Sequence, residues 1–433
     1  MSKISYQSPR GTKDILPKDQ PLWQFLRETS EKTLSGLGFE RIDTPSFENI
    51  EIFNRGIGEG TDIVSKEMFL LESSGEKEEQ ATFALRPEGT ASAVRSFIQN
   101  GMSSLPQPVR LYYFGSMFRH ERPQKGRLRE FHQIGVEIFG DESARSDYLT
   151  IMSAWEILMR LGLKDLKVYA NSIGCPVCRP KYLVKLKKYY KDKLNLVCND
   201  CQTRYAKNPL RLLDCKNESC QNIAKDAPTM LDALCKTCRD HFQDTLEYLD
   251  YFDIKYDIDP RLVRGLDYYT NTVFEIASKE DKSRQNVVCA GGRYNGLVEL
   301  LGGPKTPAVG FSIGAERAVA LLVEQKAKVP ATRGVEVCIL QLGDKAKEVS
   351  KNIYDQLSHN DVNVYFVPSD EGLRQQIKSA DKLGAQYAVI IGQREAFKDE
   401  IILRDLKASS QEVFPTSGLV TEIKRRFDKC KCK

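Results

Sequence analysis

No apolar stretch in this chain approaches the ~20 residues that a membrane-crossing helix needs. The opening residues Met1–Pro17 lack the hydrophobic centre of an export signal. Internal repeats and long low-complexity tracts are absent too. These absences exclude a membrane span and a repeat array, and they lead us to expect a cytoplasmic location. Charge is also sparse in net terms. A balance of +5 permits a nucleic-acid partner but does not argue for one. What remains is ordinary globular composition, 41% hydrophobic and 28% charged. At 433 residues the chain is too long for one ordinary core, so two to four domains are expected.

One residue type is abundant. There are 12 cysteines, which a cytosolic protein does not normally spend on disulfides. Four pairs fall between Cys175 and Cys238: Cys175/Cys178, Cys198/Cys201, Cys215/Cys220 and Cys235/Cys238. Three are C-x-x-C and one is C-x4-C, spacings that let two thiolates on one tight turn share a tetrahedral metal. Four pairs make two four-cysteine zinc sites, with the pairing open and reduced, unliganded thiols as the alternative. Between them, Arg179–Leu194 sets seven Lys/Arg against Asp192, with Tyr182, Tyr189 and Tyr190 interleaved. This is a candidate phosphate-facing helix, or a solvated one. His241 reads as incidental to the metal.

The stretch Arg110–Gly140 carries the most chemistry. It predicts an antiparallel hairpin: strand Leu111–Arg119, a basic loop through Pro123, Lys125 and Gly126, and strand Glu130–Phe139. Alternation groups Arg119 with Glu121, and Phe131 with Gln133 and Glu137. A guanidinium, an aromatic ring, an amide and two carboxylates suit a phosphorylated, aromatic, amine-bearing ligand. Glu88 and Thr90 sit where the strand from Phe83 meets a Pro/Gly turn. There they can accept hydrogen bonds from one ammonium, or cap the following helix. Arg264 precedes Gly265, where the backbone can approach a ligand closely, and Tyr268 and Tyr269 follow. Arg317 stands in the first turn of a helix, where the dipole favours anions, so a cation there implies an anionic or aromatic ligand. After the polar linker Lys326–Arg333, strands and helices alternate, implying a sheet with helices on it. The end, Lys424–Lys433, reads as a basic tail with Cys430 and Cys432 exposed.

Phe118–Glu121 and Arg129–Phe131 resemble motif 2 of the class II aminoacyl-tRNA synthetases. The continuation to Gly140, together with Leu262–Ile276 and Ala290–Leu297, resembles the histidyl branch of that family. The helix Gln20–Leu37 with Phe39–Pro45 is similar to motif 1, the family's dimer interface, and Ala308–Arg317 to motif 3. The resemblance implies an α+β fold: a class II catalytic domain, mostly antiparallel sheet flanked by helices, with a cysteine-rich insertion and a C-terminal α/β anticodon-binding domain. The parts would be 1–170 and 256–325 (catalytic), 171–255 (insertion), 326–333 (linker) and 334–433. It further implies ATP with Mg²⁺, L-histidine, tRNA(His) and a homodimer. Arg119 and Arg264 would flank the α-phosphate. Glu121 would accept from the adenine amino group, with Phe131 and Arg317 on the ring's faces. Glu88, Gly89, Thr90, Gln133, Glu137, Tyr268 and Tyr269 would hold histidine, while Arg122, Lys125 and Arg127 would meet the tRNA acceptor end. A regulatory relative without the C-terminal module and a zinc-dependent RNA-binding module are the competing readings. The intact arginines and the α/β end weigh against both.

Overall fold

The computed structural model describes residues 6–431 apart from 59–60, 72–82, 122–126, 279–286, 331–333 and 367–368. The chain divides into two compact units, Met1–Val329 and Pro330–Lys433.

The first unit is built on an eight-stranded sheet. Its centre is the hairpin Val109–Phe118 and Glu130–Phe139, paired antiparallel from Val109 opposite Phe139 to Phe118 opposite Glu130. Ala308–Gly314, Val287–Arg293, Thr270–Ser278 and Leu166–Ser172 follow across the sheet, each antiparallel to its neighbour. Short parallel strands, Glu40–Arg41 and Tyr256–Ile258, close the two edges. Only two residues of the expected strand Phe39–Pro45 pair.

One face of the sheet is covered by helices. Gln20–Gly36, Ala144–Arg160, Lys236–Tyr251 and Ala315–Glu324 contribute Leu26, Ile151, Leu249 and Ala318 to a core with Val136, Ile138, Phe274 and Ile313 from the strands. The last helix of the cysteine-rich segment is thus part of the core under the sheet. The other face carries the helix Thr90–Gln99 and the remainder of the insertion, and it leaves an open cavity. In the insertion helix Arg179–Lys191, Tyr182 and Tyr190 are buried, and Tyr182 and Tyr189 donate to the carbonyls of Pro228 and Ile223 at 2.8 Å. The tyrosines therefore hold the insertion together. The lysines face solvent together with Val184, so the tyrosines are not part of the candidate phosphate-facing surface.

The second unit has a five-stranded sheet, with Val364–Tyr365, Val337–Gln341 and Tyr387–Ile391 parallel and Glu400–Asp405 and Gln411–Pro415 antiparallel. Val337, Val389, Ile391 and Leu403 form its core with Ile353, Leu357 and Ile423 from the helices Asp344–Ser358 and Leu419–Lys431. The end of the chain is therefore largely a packed helix rather than a tail. Cys432 and the side chain of Cys430 lie outside the described residues. Among the described residues no helix is long and apolar enough to cross a membrane.

Candidate functional site

A cavity of about 990 Å³ opens over the hairpin. Glu137, 1% exposed in the middle of the strand Glu130–Phe139, lies behind the part of the wall made by Tyr113 and Gly310. Tyr113 donates to Glu137 at 3.2 Å, and Tyr294 makes a short hydrogen bond to its other oxygen. Burial pushes the Glu137 carboxyl up to about 8, against the hydrogen bonds from Tyr294, Thr90 and Tyr113. The backbone makes room for this cluster. A Cβ on Gly310 would strike Glu137, and a Cβ on Gly89 or Gly135 would strike the Tyr113 ring. Glu88 is buried too. It accepts from the backbone amides of Thr90 and Ala91 at 2.8 and 2.7 Å, so it caps the helix Thr90–Gln99 while lining the cavity. Burial raises its pKa, and the amide hydrogen bonds pull it back. Tyr268 reaches it at 3.4 Å and packs against Tyr269, with ring centroids 4.7 Å apart. The amide oxygen of Gln133 is buried without a hydrogen-bond partner among the described residues. Glu88, Thr90, Gln133, Tyr268 and Tyr269 together offer acceptors and aromatic walls, and suit a small cationic or N–H-rich ligand.

Arginines line another part of the cavity. Arg119 is anchored by its Nε on the carbonyl of Pro87 at 2.8 Å, and its guanidinium lies 5.2 Å from the centre of the Phe131 ring. Glu121 lies beyond the strand, so alternation does not govern it. It is 3.9 Å from Arg119 and accepts from Arg127 at 2.8 Å. Arg264 forms a tight ion pair with Glu275. Burial works against its charge, and Glu275, Tyr269 and Asp214 outweigh that. Arg317 donates to the carbonyl of Val287 at 2.6 Å. Arg119, Arg264 and Arg317 all line the one cavity with Glu88, Gln133, Tyr268 and Tyr269. Arg122 and Lys125 lie outside the described residues.

The third wall comes from the insertion: Arg211, Leu213, Asp214, Cys215 and Lys216 line the same cavity. The pairing of the cysteines is resolved here. Cys175, Cys178, Cys235 and Cys238 form one cluster, and Cys198, Cys201, Cys215 and Cys220 the other, with all Sγ in each within 4.8 Å of one another. Sγ–Sγ separations include 3.7 Å (Cys175–Cys178), 3.9 Å (Cys175–Cys235), 3.8 Å (Cys178–Cys238) and 3.7 Å (Cys198–Cys215). Four thiolates at Zn–S distances of ~2.3 Å in a tetrahedron would stand about 3.8 Å apart. Backbone amides point at the sulfurs: Val177 to Cys175, Cys175 to Cys178 and Cys198 to Cys220, at 3.4, 3.3 and 3.2 Å. Such donors stabilise thiolates, so both sites fit a thiophilic metal ion. His241 is outside both clusters. It bonds Asp147 at 3.1 Å, joining a buried pair between Asp147 and Arg293.

Sequence reasoning singled out Glu137 but neither tyrosine that holds it, Tyr113 and Tyr294. The register was the available signal: Tyr113 pairs with Gly135, a glycine with no turn to explain it. Nothing in the sequence linked Arg211 or Lys216 to this cavity, because that link is made only by the folding of the insertion.

A family model described as histidyl-tRNA synthetase matches residues 11–174 and 192–318, and one described as an anticodon binding domain matches 336–426. The break between the first two segments spans Cys175, Cys178 and the basic helix. The histidine–tRNA ligase of Desulforamulus reducens is 44% identical over 418 residues, covering 96% of this chain and 99% of its own. That of Thermoanaerobacter pseudethanolicus is 46% identical over 405 residues, 94% and 96% of the two chains. Among solved structures, the apo histidyl-tRNA synthetase of S. aureus superposes with a TM-score of 0.80 at 32% identity, over 97% of this chain and all of that one.

Proposed function

The chain belongs to the histidyl-tRNA synthetase family, and on that premise we propose that it joins L-histidine to tRNA(His) in two ATP-dependent steps within this cavity. ATP enters as its Mg²⁺ complex. A carboxylate oxygen of histidine attacks the α-phosphorus in line, the bond to the β-phosphate bridging oxygen breaks, and pyrophosphate leaves. The terminal ribose hydroxyl of the tRNA then attacks the carbonyl carbon of the adenylate, and AMP leaves.

Glu88, Thr90 and the unpartnered amide oxygen of Gln133 hold the α-ammonium group. Gly89 lets Tyr113 close over them. Glu137 and Tyr269 read the imidazole edge, with Tyr268 as a wall. Arg119 and Arg264 flank the α-phosphate and meet the charge that grows on its oxygens. Glu121 takes the adenine amino group, with Phe131 and Arg317 on the ring's two faces. Arg127, with Arg122 and Lys125, meets the acceptor end. Zinc in the two four-cysteine sites supplies structural cross-links only. The residues 1–170 and 256–325 make the catalytic domain, 171–255 the insertion and 334–433 the anticodon-binding domain. The protein works in the cytoplasm as a homodimer. The half-exposed Phe47, Leu70 and Phe83 on one small sheet are consistent with a second copy.

One observation carries the reading: a buried carboxyl held by tyrosines directly behind the Tyr113 wall of a cavity that Arg119, Arg264 and Arg317 also line. The test is histidine-dependent ATP–pyrophosphate exchange. Arg264→His should slow it roughly a hundredfold or more while ATP binding changes little. Exchange that no amino acid stimulates, or that only another amino acid stimulates, would overturn the assignment.

A further inference from the structure

The second cysteine cluster is built into the wall of the catalytic cavity, not set apart from it. Cys215 is a member of the cluster and also lines the cavity. Four residues earlier stands Arg211, in the single helical turn Pro209–Leu212. That turn is held from both sides. Leu212 and Leu213 are buried beside Cys215, and Asn208 donates to Asp267 at 2.5 Å. The result is a guanidinium pressed against the Arg264–Gly265 turn. A Cβ on Gly265 would stand 3.0 Å from Nη1 of Arg211.

Arg211 differs from the other arginines lining this cavity. Arg119 has the carbonyl of Pro87, Arg127 has Glu121, Arg261 has Asp259, Arg264 has Glu275 and Arg317 has the carbonyl of Val287. The Nε of Arg211 is buried with no hydrogen-bond partner among the described residues, as is that of Arg264, but Arg264 has Glu275 on its terminal nitrogen and Arg211 has no such acceptor there. Its neighbour in charge is Asp267, where burial raises the carboxyl and Arg211 and Arg179 pull it back, but the hydrogen bond that carboxylate accepts comes from Asn208 and not from Arg211. A buried donor without an acceptor is costly, and the cost is recovered when a ligand brings the acceptor. Beside Arg264, in a cavity that takes phosphorylated ligands, the fitting acceptor is a phosphate oxygen, which a guanidinium binds in forked geometry.

We propose that the site Cys198, Cys201, Cys215 and Cys220 is a structural metal centre that fixes Arg211 in the cavity wall, where its guanidinium binds a phosphate group beside Arg264. The inference rests on the synthetase reading above. Metal binding and local folding are one equilibrium in such centres, so losing the metal frees the turn that carries Arg211. Lys216, exposed at the cavity rim next to Cys215, is carried by the same centre. The phosphate comes from the nucleotide or from the end of the tRNA.

The experiment compares the wild-type enzyme with Arg211→Met and Arg211→Lys. ATP affinity is measured by calorimetry without histidine, and charging kinetics with tRNA(His). Arg211→Met should keep its metal content and melting temperature. A rise of about tenfold in the ATP dissociation constant assigns the group to the nucleotide. Unchanged ATP binding with a similar rise in the KM for tRNA assigns it to the RNA. If neither moves, the role of Arg211 is overturned. Metal coupling has its own arm. Cys198→Ser/Cys201→Ser should lower bound zinc from two ions per chain to one and reproduce the Arg211→Met defect, with no further loss when the changes are combined. If that variant fails to fold, partial chelation of the wild-type protein to one zinc per chain gives the same comparison. ATP and tRNA binding as in wild type with the second metal gone would overturn the coupling. A wild-type enzyme without histidine-dependent exchange would defeat the synthetase reading itself, which separates the two failures.

Discussion

Glu137 illustrates how one buried group sets a pH profile. Its carboxyl is raised to about 8 by burial, with the charge of Glu88 adding to the rise and hydrogen bonds from Tyr294, Thr90 and Tyr113 opposing it. At neutral pH the free enzyme therefore holds a proton there, while free histidine, with a ring pKa of about 6.5, is neutral. The complex needs one proton between carboxyl and imidazole. Below about 6.5 the free ring adds a second proton, and above about 8 the free carboxyl has lost the only one. Histidine affinity should be bell-shaped, weakening on both sides of that window. Glu137→Gln cannot lose a proton, so its alkaline limb should vanish; an alkaline limb that persists in the variant would place the titration elsewhere. Glu137→Ala should raise the histidine KM roughly a hundredfold with little change in ATP affinity, since it removes the acceptor and leaves Tyr113 and Tyr294 unpaired. A variant with the wild-type KM would show that Glu137 does not read the ring.

Elements are bound to one another by groups that local sequence does not reveal. Asp147 on the helix Ala144–Arg160 is fully buried with Arg293 of the strand Val287–Arg293, and His241 on the helix Lys236–Tyr251 completes the contact. Burial alone would raise the Asp147 carboxyl; Arg293 and His241 pull it to about 2. A depressed carboxylate contributes stability that is present above its unfolded pKa of about 3.9 and is lost as pH falls toward 2. Asp147→Ala leaves Arg293 buried and uncompensated, and should cost about 3–5 kcal/mol, read as a fall in Tm or denaturant midpoint. A loss under about 1 kcal/mol would mean the pair is not structural. The metal sites make the second prediction at this scale. Protein purified under reducing conditions should hold two zinc ions per chain, and chelation should expose 175–238 to protease first. Protein without metal would refute it. How much of this was legible follows a physical rule. The hairpin and the strand Tyr387–Ile391 carry their own apolar pattern and were read to within a residue or two. Gln411–Pro415 is an exposed edge strand ending in proline, with no buried face to write a pattern, and it went unread. The cysteine spacing announced two metal sites but not their pairing, because that depends on how the insertion folds. For the same reason Arg211 and the Asp147–Arg293 pair were invisible.

At the scale of the whole molecule, the chain is two units that each carry their own core. Residues 330–433 bury Val337, Val389 and Leu403 in a core of their own. A unit with a core of its own can be removed without opening the other. Every described residue lining the large cavity lies before residue 330, so the chemistry of activation should not need the second unit. The unit matched by an anticodon-binding model should matter only once tRNA must be held. Truncation after Val329 is therefore expected to leave histidine-dependent pyrophosphate exchange within about threefold of the full chain, while aminoacylation at low tRNA concentration falls roughly a hundredfold, the equivalent of ~2.7 kcal/mol of lost RNA binding. The signature is the split between the two rates. A structural role for the second unit would lower both together, and would be accompanied by a fall in the melting temperature of the remaining unit. Restoring the charging rate of the truncated protein by raising tRNA concentration would then locate the defect in binding, as expected if the transfer step uses only groups that line the cavity.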